Sequence, residues 1–237
     1  MPTHEIVHID RRFEGPPGGG NGGYVGGLLA ERVGGIAEVS LRAPTPLETP
    51  LDLLQGEAGA WKLEVGGQRI ADAKPGSVDI ALPTAPSVAD AREAGERLRG
   101  EHPFPGCFVC GPQRTAGDGL RILVGPLANR PIDATVWTPD SSLAGPDGSV
   151  DPRFVWAALD CPGGMAAMAT SEAPMVLGRM SARIERPLDI GTECIVLGWE
   201  IRADGRKHFT GTALFDATGE PIGCAEQVWI EVAPRSP

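Results

Sequence analysis

A chain of 237 residues that is 41% hydrophobic can build one large core or two small ones. Its formal net charge of −10, from 31 acidic against 21 basic residues, disfavours nucleic acid and anionic membrane surfaces as partners. Five cysteines, an odd number scattered through the chain, do not make a secreted disulfide framework and are expected as thiols. No positively charged and apolar leader opens MPTHEIVHIDRR and no run is long enough to span a bilayer, so a cytoplasmic protein without a membrane partner is expected.

Taken in order, residues 4–9 alternate as a first strand, and a Gly- and Pro-rich loop over 15–20 follows. Asn21 then caps a helix whose first turn carries the bare glycines Gly22 and Gly23 and whose apolar stripe is Tyr24, Val25, Leu28 and Leu29. Those amides either face a ligand or belong to a flexible loop with none. Strands are predicted at 37–43, 51–54 and 61–74, the last folded on itself at Gly66-Gly67. The stretch 83–100, containing ADAREAGERLR, is a polar helical linker with opposite charges at helix-pair spacing, and a boundary there divides the chain into units 1–98 and 99–237. Strands at 120–124 and 133–137 precede a second helix, and strands at 179–184, 194–201, 208–215 and 222–232 complete the chain.

The second helix spans 151 to about 168, with Asp151 as N-cap and Pro152 at the first helical position. It is apolar on every face, and Asp160 is its only carboxylate beyond Phe154, so a desolvated acid with a raised pKa is expected. Alternatively Pro162 breaks the helix and Asp160 caps a second short one. The halves also repeat: Ser40, Arg42, Pro46, Leu47 and Glu48 stand 141 residues before Ser181, Arg183, Pro187, Leu188 and Asp189.

CFVCGPQRTAGDGLRI at 107–122, ALDCPGGMA at 158–166, RIERPLDIGT at 183–192 and the run 205–232 together resemble a hotdog-fold thioesterase of the phenylacetyl-CoA type. NGGYVGGLLA at 21–30 with SLRAPTPLE at 40–48 extends this to the double-hotdog acyl-CoA thioesterases. The resemblance implies an α+β double hotdog, two antiparallel sheets each wrapped round a central helix, paired as a pseudo-dimer that admits further homo-oligomers. It implies hydrolysis of an acyl-CoA thioester without metal or bound cofactor. Asp160 falls on the family's acid as general base or nucleophile, Gly22-Gly23 on its glycine pair with Asn21 in place of the usual His, and Gln227 near the glutamine of acyl-CoA thioesterase II. By this resemblance Asp160, Gly23 and Gln227 are expected to be catalytic and Asn21 and Gly22 to bind substrate; Tyr24, Trp156 and Arg183 are added as candidate substrate contacts from their residue types. The family motif aligns the helices at an offset of 130; the strand offset of 141 would instead align Gly22-Gly23 with Gly163-Gly164.

A desolvated carboxylate and helix N-terminal amides suit thioester hydrolysis, one activating water and the other receiving the oxyanion. Arg42, Arg183, Arg114 and Arg121 are candidates for the CoA phosphates, or else surface ion pairs. Trp156, Met165, Met168 and Tyr24 line an acyl tunnel or simply the core. Cys107-x-x-Cys110 resembles half of a zinc site, open to completion by His102 or Cys161, but a second pair is missing and no metal is expected. Two rivals remain at this level: a hotdog protein that binds acyl groups without turnover, and a hydratase or dehydratase. The four histidines lie outside both helices, which counts against the latter.

Overall fold

A computed structural model describes residues 3–97, 102–171 and 173–233. The boundary expected between residues 98 and 99 lies outside the described residues. The strands form one antiparallel sheet in the order β1 (His4–Val7), β3 (Leu51–Gln55), β4 (Trp61–Val65), β5 (Gln68–Pro75), β2 (Ala37–Leu41), β8 (Met175–Ile184), β11 (Pro221–Glu231), β10 (Lys207–Asp216), β9 (Cys194–Asp204), β7 (Asp133–Trp137) and β6 (Gly125–Pro126). Among the described residues the α-helices are α1 (Gly22–Val33), α2 (Val88–Glu96), α3 (Pro152–Ala158) and α4 (Cys161–Ala167).

The α+β class stands, and the expectation of two separate sheets is corrected. β2 and β8 would each be an open edge in an isolated half; instead they pair antiparallel, with Val39 opposite Met180, and fuse the halves into one ladder. Val39 and Met180 are themselves related by the offset of 141, so an approximate twofold passes between these strands.

The turns before the two long apolar segments obey the other offset. Asp10 and Asp140, 130 residues apart, each open a short 3₁₀ turn and accept from the N–H of Arg12 (2.7 Å) and Ser142 (2.8 Å). Glu14 bridges Gly20 as Ala144 bridges Val150. Gly18 and Gly148 supply the left-handed φ of +78° and +84° that each loop needs. The start of α3, and not Gly163-Gly164, is therefore the counterpart of the start of α1.

Two sequence elements differ from expectation. The predicted strand 120–124 stays out of the sheet; the N–H groups of Leu120 and Ile122 bond the carbonyls of Phe108 and Val109, so the run buries itself on the cysteine-bearing segment. The polar linker helix α2 also has a buried side, Ala91 and Ala94, lying against the β7–β9 part of the sheet. Along β9, Cys194 and Val196 enter the main core with α1 and α3, whereas Ile195 and Leu197 face α2 on the opposite side.

One buried charge cluster sits on this frame. His208, 4% exposed on β10, lies between Glu200 Oε1 at 2.6 Å and Glu231 Oε1 at 3.1 Å. Burial alone pushes its pKa down, but the hydrogen bonds and charges of the two carboxylates outweigh this and hold it above the ordinary value of 6.5. A raised histidine pKa stabilises the fold fully below the unfolded value and loses that contribution as pH rises through the folded one. The melting-temperature gap between wild type and His208→Gln should therefore shrink from about pH 6 to about pH 8.5. A gap independent of pH would show that the folded imidazole titrates no higher than the unfolded one.

Candidate active site

Asn21 accepts the Tyr24 N–H through Oδ1 at 2.9 Å, the N-cap bond expected from sequence, which aims its amide Nδ2 away from α1. α1 approaches α3 closely because its facing positions lack side chains: a Cβ on Gly23 would lie 2.4 Å from Asp160 Cβ, and one on Gly27 would lie 2.7 Å from Arg153 Cα. Trp156 closes this contact, its ring against Gly26.

The expected single helix is broken at Leu159–Asp160, for the reason Pro162 supplies: it has no N–H for the Ala158 carbonyl. The carbonyls freed by the break are received from the sheet. Leu159 O accepts from Thr212 Oγ1 at 2.7 Å and Gln227 Nε2 at 2.6 Å, and Asp160 O accepts from Gln227 Nε2 at 3.0 Å. Asp160 occupies the N-cap position of α4, yet its side chain makes no cap bond. The carboxylate turns instead towards α1, where Oδ2 accepts from the Gly23 N–H at 2.9 Å and from Asn21 Nδ2 at 2.8 Å. Oδ1 is buried and has no hydrogen-bond partner among the described residues. Asp160 is 1% exposed; burial raises its pKa to about 7 against the lowering effect of the Gly23 and Asn21 bonds.

Asp160, Gly23 and Asn21 are thus brought into direct contact, and Gln227 stands behind them. Gln227 is 3% exposed, on a strand with neighbours on both sides, and all four of its hydrogen-bonding positions are used: Oε1 accepts from Thr210 Oγ1 and Trp229 Nε1, both at 2.9 Å. Gln227→Leu would strip the Asp160 carbonyl, Thr210 and Trp229 of a partner, and a loss of about 3 kcal/mol in denaturant unfolding is expected. Unchanged stability would mean the amide is not what holds the break. Thr210 and Thr212 were not singled out from sequence. The available signal was two hydroxyls two residues apart, on one face of a strand otherwise rich in apolar residues.

The remaining expected positions lie around this centre. Tyr24 stacks on Phe13 with ring centroids 3.9 Å apart, within an aromatic group that includes Phe108 and Phe154. Gly22 packs against Leu41 and Leu177. Arg183 is paired with Glu185 at 2.6 Å, Arg42 with Asp72 at 2.8 Å and Arg114 with Asp118 at 3.0 Å, while Arg121 is exposed. A surface cleft of about 320 Å³ runs beside the start of α3, lined in part by Val150, Val155, Ile184, Arg186 and Leu188. Asp160 is not among its walls.

Cys161, the residue after Asp160, meets Cys107 and Cys110: the three Sγ atoms lie within 4.8 Å of one another, all buried. Asn21 Nδ2 is 3.9 Å from Cys107 Sγ and 3.8 Å from Cys161 Sγ.

No protein-family model matches the sequence, and no curated protein does. Solved structures match the fold over nearly its whole length. They include a candidate thioesterase from Novosphingobium aromaticivorans DSM 12444, at TM-score 0.64 and 14% identity over 97% of this chain and 96% of that one. A conserved protein of unknown function with a hotdog fold, from Alicyclobacillus acidocaldarius, matches at 0.64 and 10% identity over 99% and 94%. An acyl-CoA thioesterase II from Mycobacterium marinum matches at 0.60 and 13% over 98% and 93%. The chain therefore has the hotdog fold, in the full-length arrangement of these proteins. No helix among the described residues is long and apolar enough to cross a membrane.

Proposed function

We propose that the chain is an acyl-CoA thioesterase whose one composite site joins Asp160 to the start of α1. The observation that carries this reading is the carboxylate itself: buried, held across the junction of the halves by Gly23 N–H and Asn21 Nδ2, and left with one oxygen that has no hydrogen bond among the described residues. Oδ1 takes a proton from water as the water attacks the thioester carbonyl. The Gly23 amide then passes from Oδ2 to the developing oxyanion, a donor of a kind worth about 3 kcal/mol in such barriers. Losing that bond makes the carboxylate more basic at the moment it must hold the proton. Collapse of the intermediate breaks the carbon–sulfur bond, and the departing CoA thiolate takes the proton back from Asp160.

Gln227 serves as a positioning residue, fixing the Asp160 backbone, since its amide has no group left to hold water. Tyr24 and Trp156 flank the junction as acyl-binding positions, and Arg183 is an exposed-side contact for the CoA phosphates, exchanging Glu185 for phosphate. On this reading the site forms where the two halves meet as a pseudo-dimer, in a soluble cytoplasmic protein open to further self-association.

A second reading rests on the same contact. Gly23 N–H and Asp160 Oδ2 satisfy each other in a site 1% exposed, which suits a protein that binds acyl-CoA without turning it over. Release of free CoA thiol from a panel of acyl-CoAs, beside calorimetric binding of the same panel, separates the two. Turnover above the spontaneous rate supports the thioesterase; binding without thiol release supports the second reading.

A further inference from the structure

The three buried thiols beside the junction have no part in the chemistry above. We propose that Cys107, Cys110 and Cys161 form a three-thiolate binding site for a single zinc ion. Cys107 and Cys161 place their Sγ atoms 3.7 Å apart, and the third sulfur falls within 4.8 Å of both. A zinc–sulfur bond of about 2.3 Å sets the edge of a tetrahedron at about 3.8 Å, so Cys107 and Cys161 already stand at one edge of it, with the third sulfur near enough to complete a face. The three are free thiols and not disulfide-bonded, since bonded sulfurs stand at about 2.05 Å. A set of sulfur donors with no oxygen selects a soft or borderline cation over magnesium or calcium.

The local backbone is built for convergence. The Gly111 N–H returns to the Cys107 carbonyl at 2.9 Å, closing the Cys-x-x-Cys segment into a tight turn. A Cβ on Gly111 would lie 2.4 Å from that carbonyl oxygen, so the turn admits only glycine there. Asn21 Nδ2 sits between two of the sulfurs, at 3.9 and 3.8 Å, as an outer donor to thiolates would.

Two buried polar atoms without a partner among the described residues flank the cluster in sequence, His102 Nε2 before Cys107 and Asp160 Oδ1 beside Cys161. A dication here would offset the charge of the thiolates, and the fourth vertex suits an imidazole or water. On binding, the thiol protons leave to solvent and no other bond changes. The second cysteine pair whose absence argued against metal is replaced by one cysteine from the helix break, a residue only the fold brings near.

The test uses the full chain, purified under reducing conditions from zinc-supplemented medium. Elemental analysis should give one zinc per chain, and replacement by Co²⁺ should give the intense near-ultraviolet absorption of thiolate-to-cobalt charge transfer. Ser at 107, 110 or 161 should weaken zinc binding by more than the roughly 10- to 100-fold that loss of an outer partner costs, with Cys194→Ser, outside the cluster, unchanged. Should the variants not fold, the wild type still decides: chelation should lower its melting temperature and added zinc restore it. Substoichiometric zinc without a cobalt band, a band that survives Cys161→Ser, or a disulfide among the three thiols in the isolated chain would each overturn the site. None of these readouts involves turnover, so failure here is distinguishable from failure of the thioesterase reading.

Discussion

Asp160→Asn is expected to lower turnover of the best acyl-CoA substrate by at least about 100-fold, the scale of losing general-base assistance. The substitution keeps the volume, and its retained oxygen can still accept from Gly23 N–H and Asn21 Nδ2, so the junction is preserved while the proton acceptor is lost. Substrate affinity should change little. Stability should hold or rise, because a carboxylate that is 1% exposed with one oxygen lacking a partner is costly to bury, and a neutral amide relieves that cost. The competing explanation, that Asp160 merely caps α4, has lost its footing: the side chain makes no cap bond. Steady-state kinetics and a thermal melt on one preparation decide it. Wild-type turnover in the variant would remove Asp160 from the mechanism and leave the activity resting on fold likeness alone.

The second large effect is structural. Gly23→Ala would set a Cβ 2.4 Å from Asp160 Cβ, 2.8 Å from the Trp156 carbonyl oxygen and 3.0 Å from Ala157 Cα. Two of the three obstacles are backbone, which cannot rotate aside, so the helices must separate. A loss of about 3 kcal/mol or more in unfolding free energy is expected, against a propensity gain of under about 1 kcal/mol for replacing a helical glycine. Gly26→Ala provides the contrast: its Cβ would meet only the Trp156 ring, at 3.1 Å, and the two effects should nearly cancel. Equal stability of the two variants would show that α1 does not approach α3 as closely as described. Because Gly23→Ala moves Asp160 as well, its activity loss is read only beside the stability measurement.

Much of the fold was legible in the sequence because its signals are local. Asn21 before two glycines, Asp151 before Pro152, and Gly66-Gly67 between alternating runs each encode a cap or a turn within a few residues, and each forms where expected. The repeat was legible too, but it needed two offsets. One relates β2 to β8 and the other relates the turns before the helices, since the second half carries an interrupted helix where the first has a continuous one. The run 120–124 misled because its apolar residues, though strand-like, find their partners in the segment Cys107–Cys110 rather than in the sheet. Whether a strand-like run joins a sheet depends on which edge is free, and no pattern within five residues records that.

By itself the sequence determined that Asp160 is a lone carboxylate on an apolar helix and that Pro162 stands two residues beyond it. Only the tertiary structure decided which way the carboxylate faces. The break turns the Leu159 and Asp160 carbonyls towards Gln227 and Thr212, and the carboxylate towards Gly23 and Asn21, more than a hundred residues earlier in the chain. The same holds for the thiols, where Cys107 and Cys110 are a local pattern but Cys161 joins them only through packing. Caps, turns and periodicity are short-range consequences of backbone hydrogen bonding; a site assembled from separate elements depends on how closely two surfaces approach. Here that distance is set by glycines at the contact and by a sheet that closes its open edges against each other.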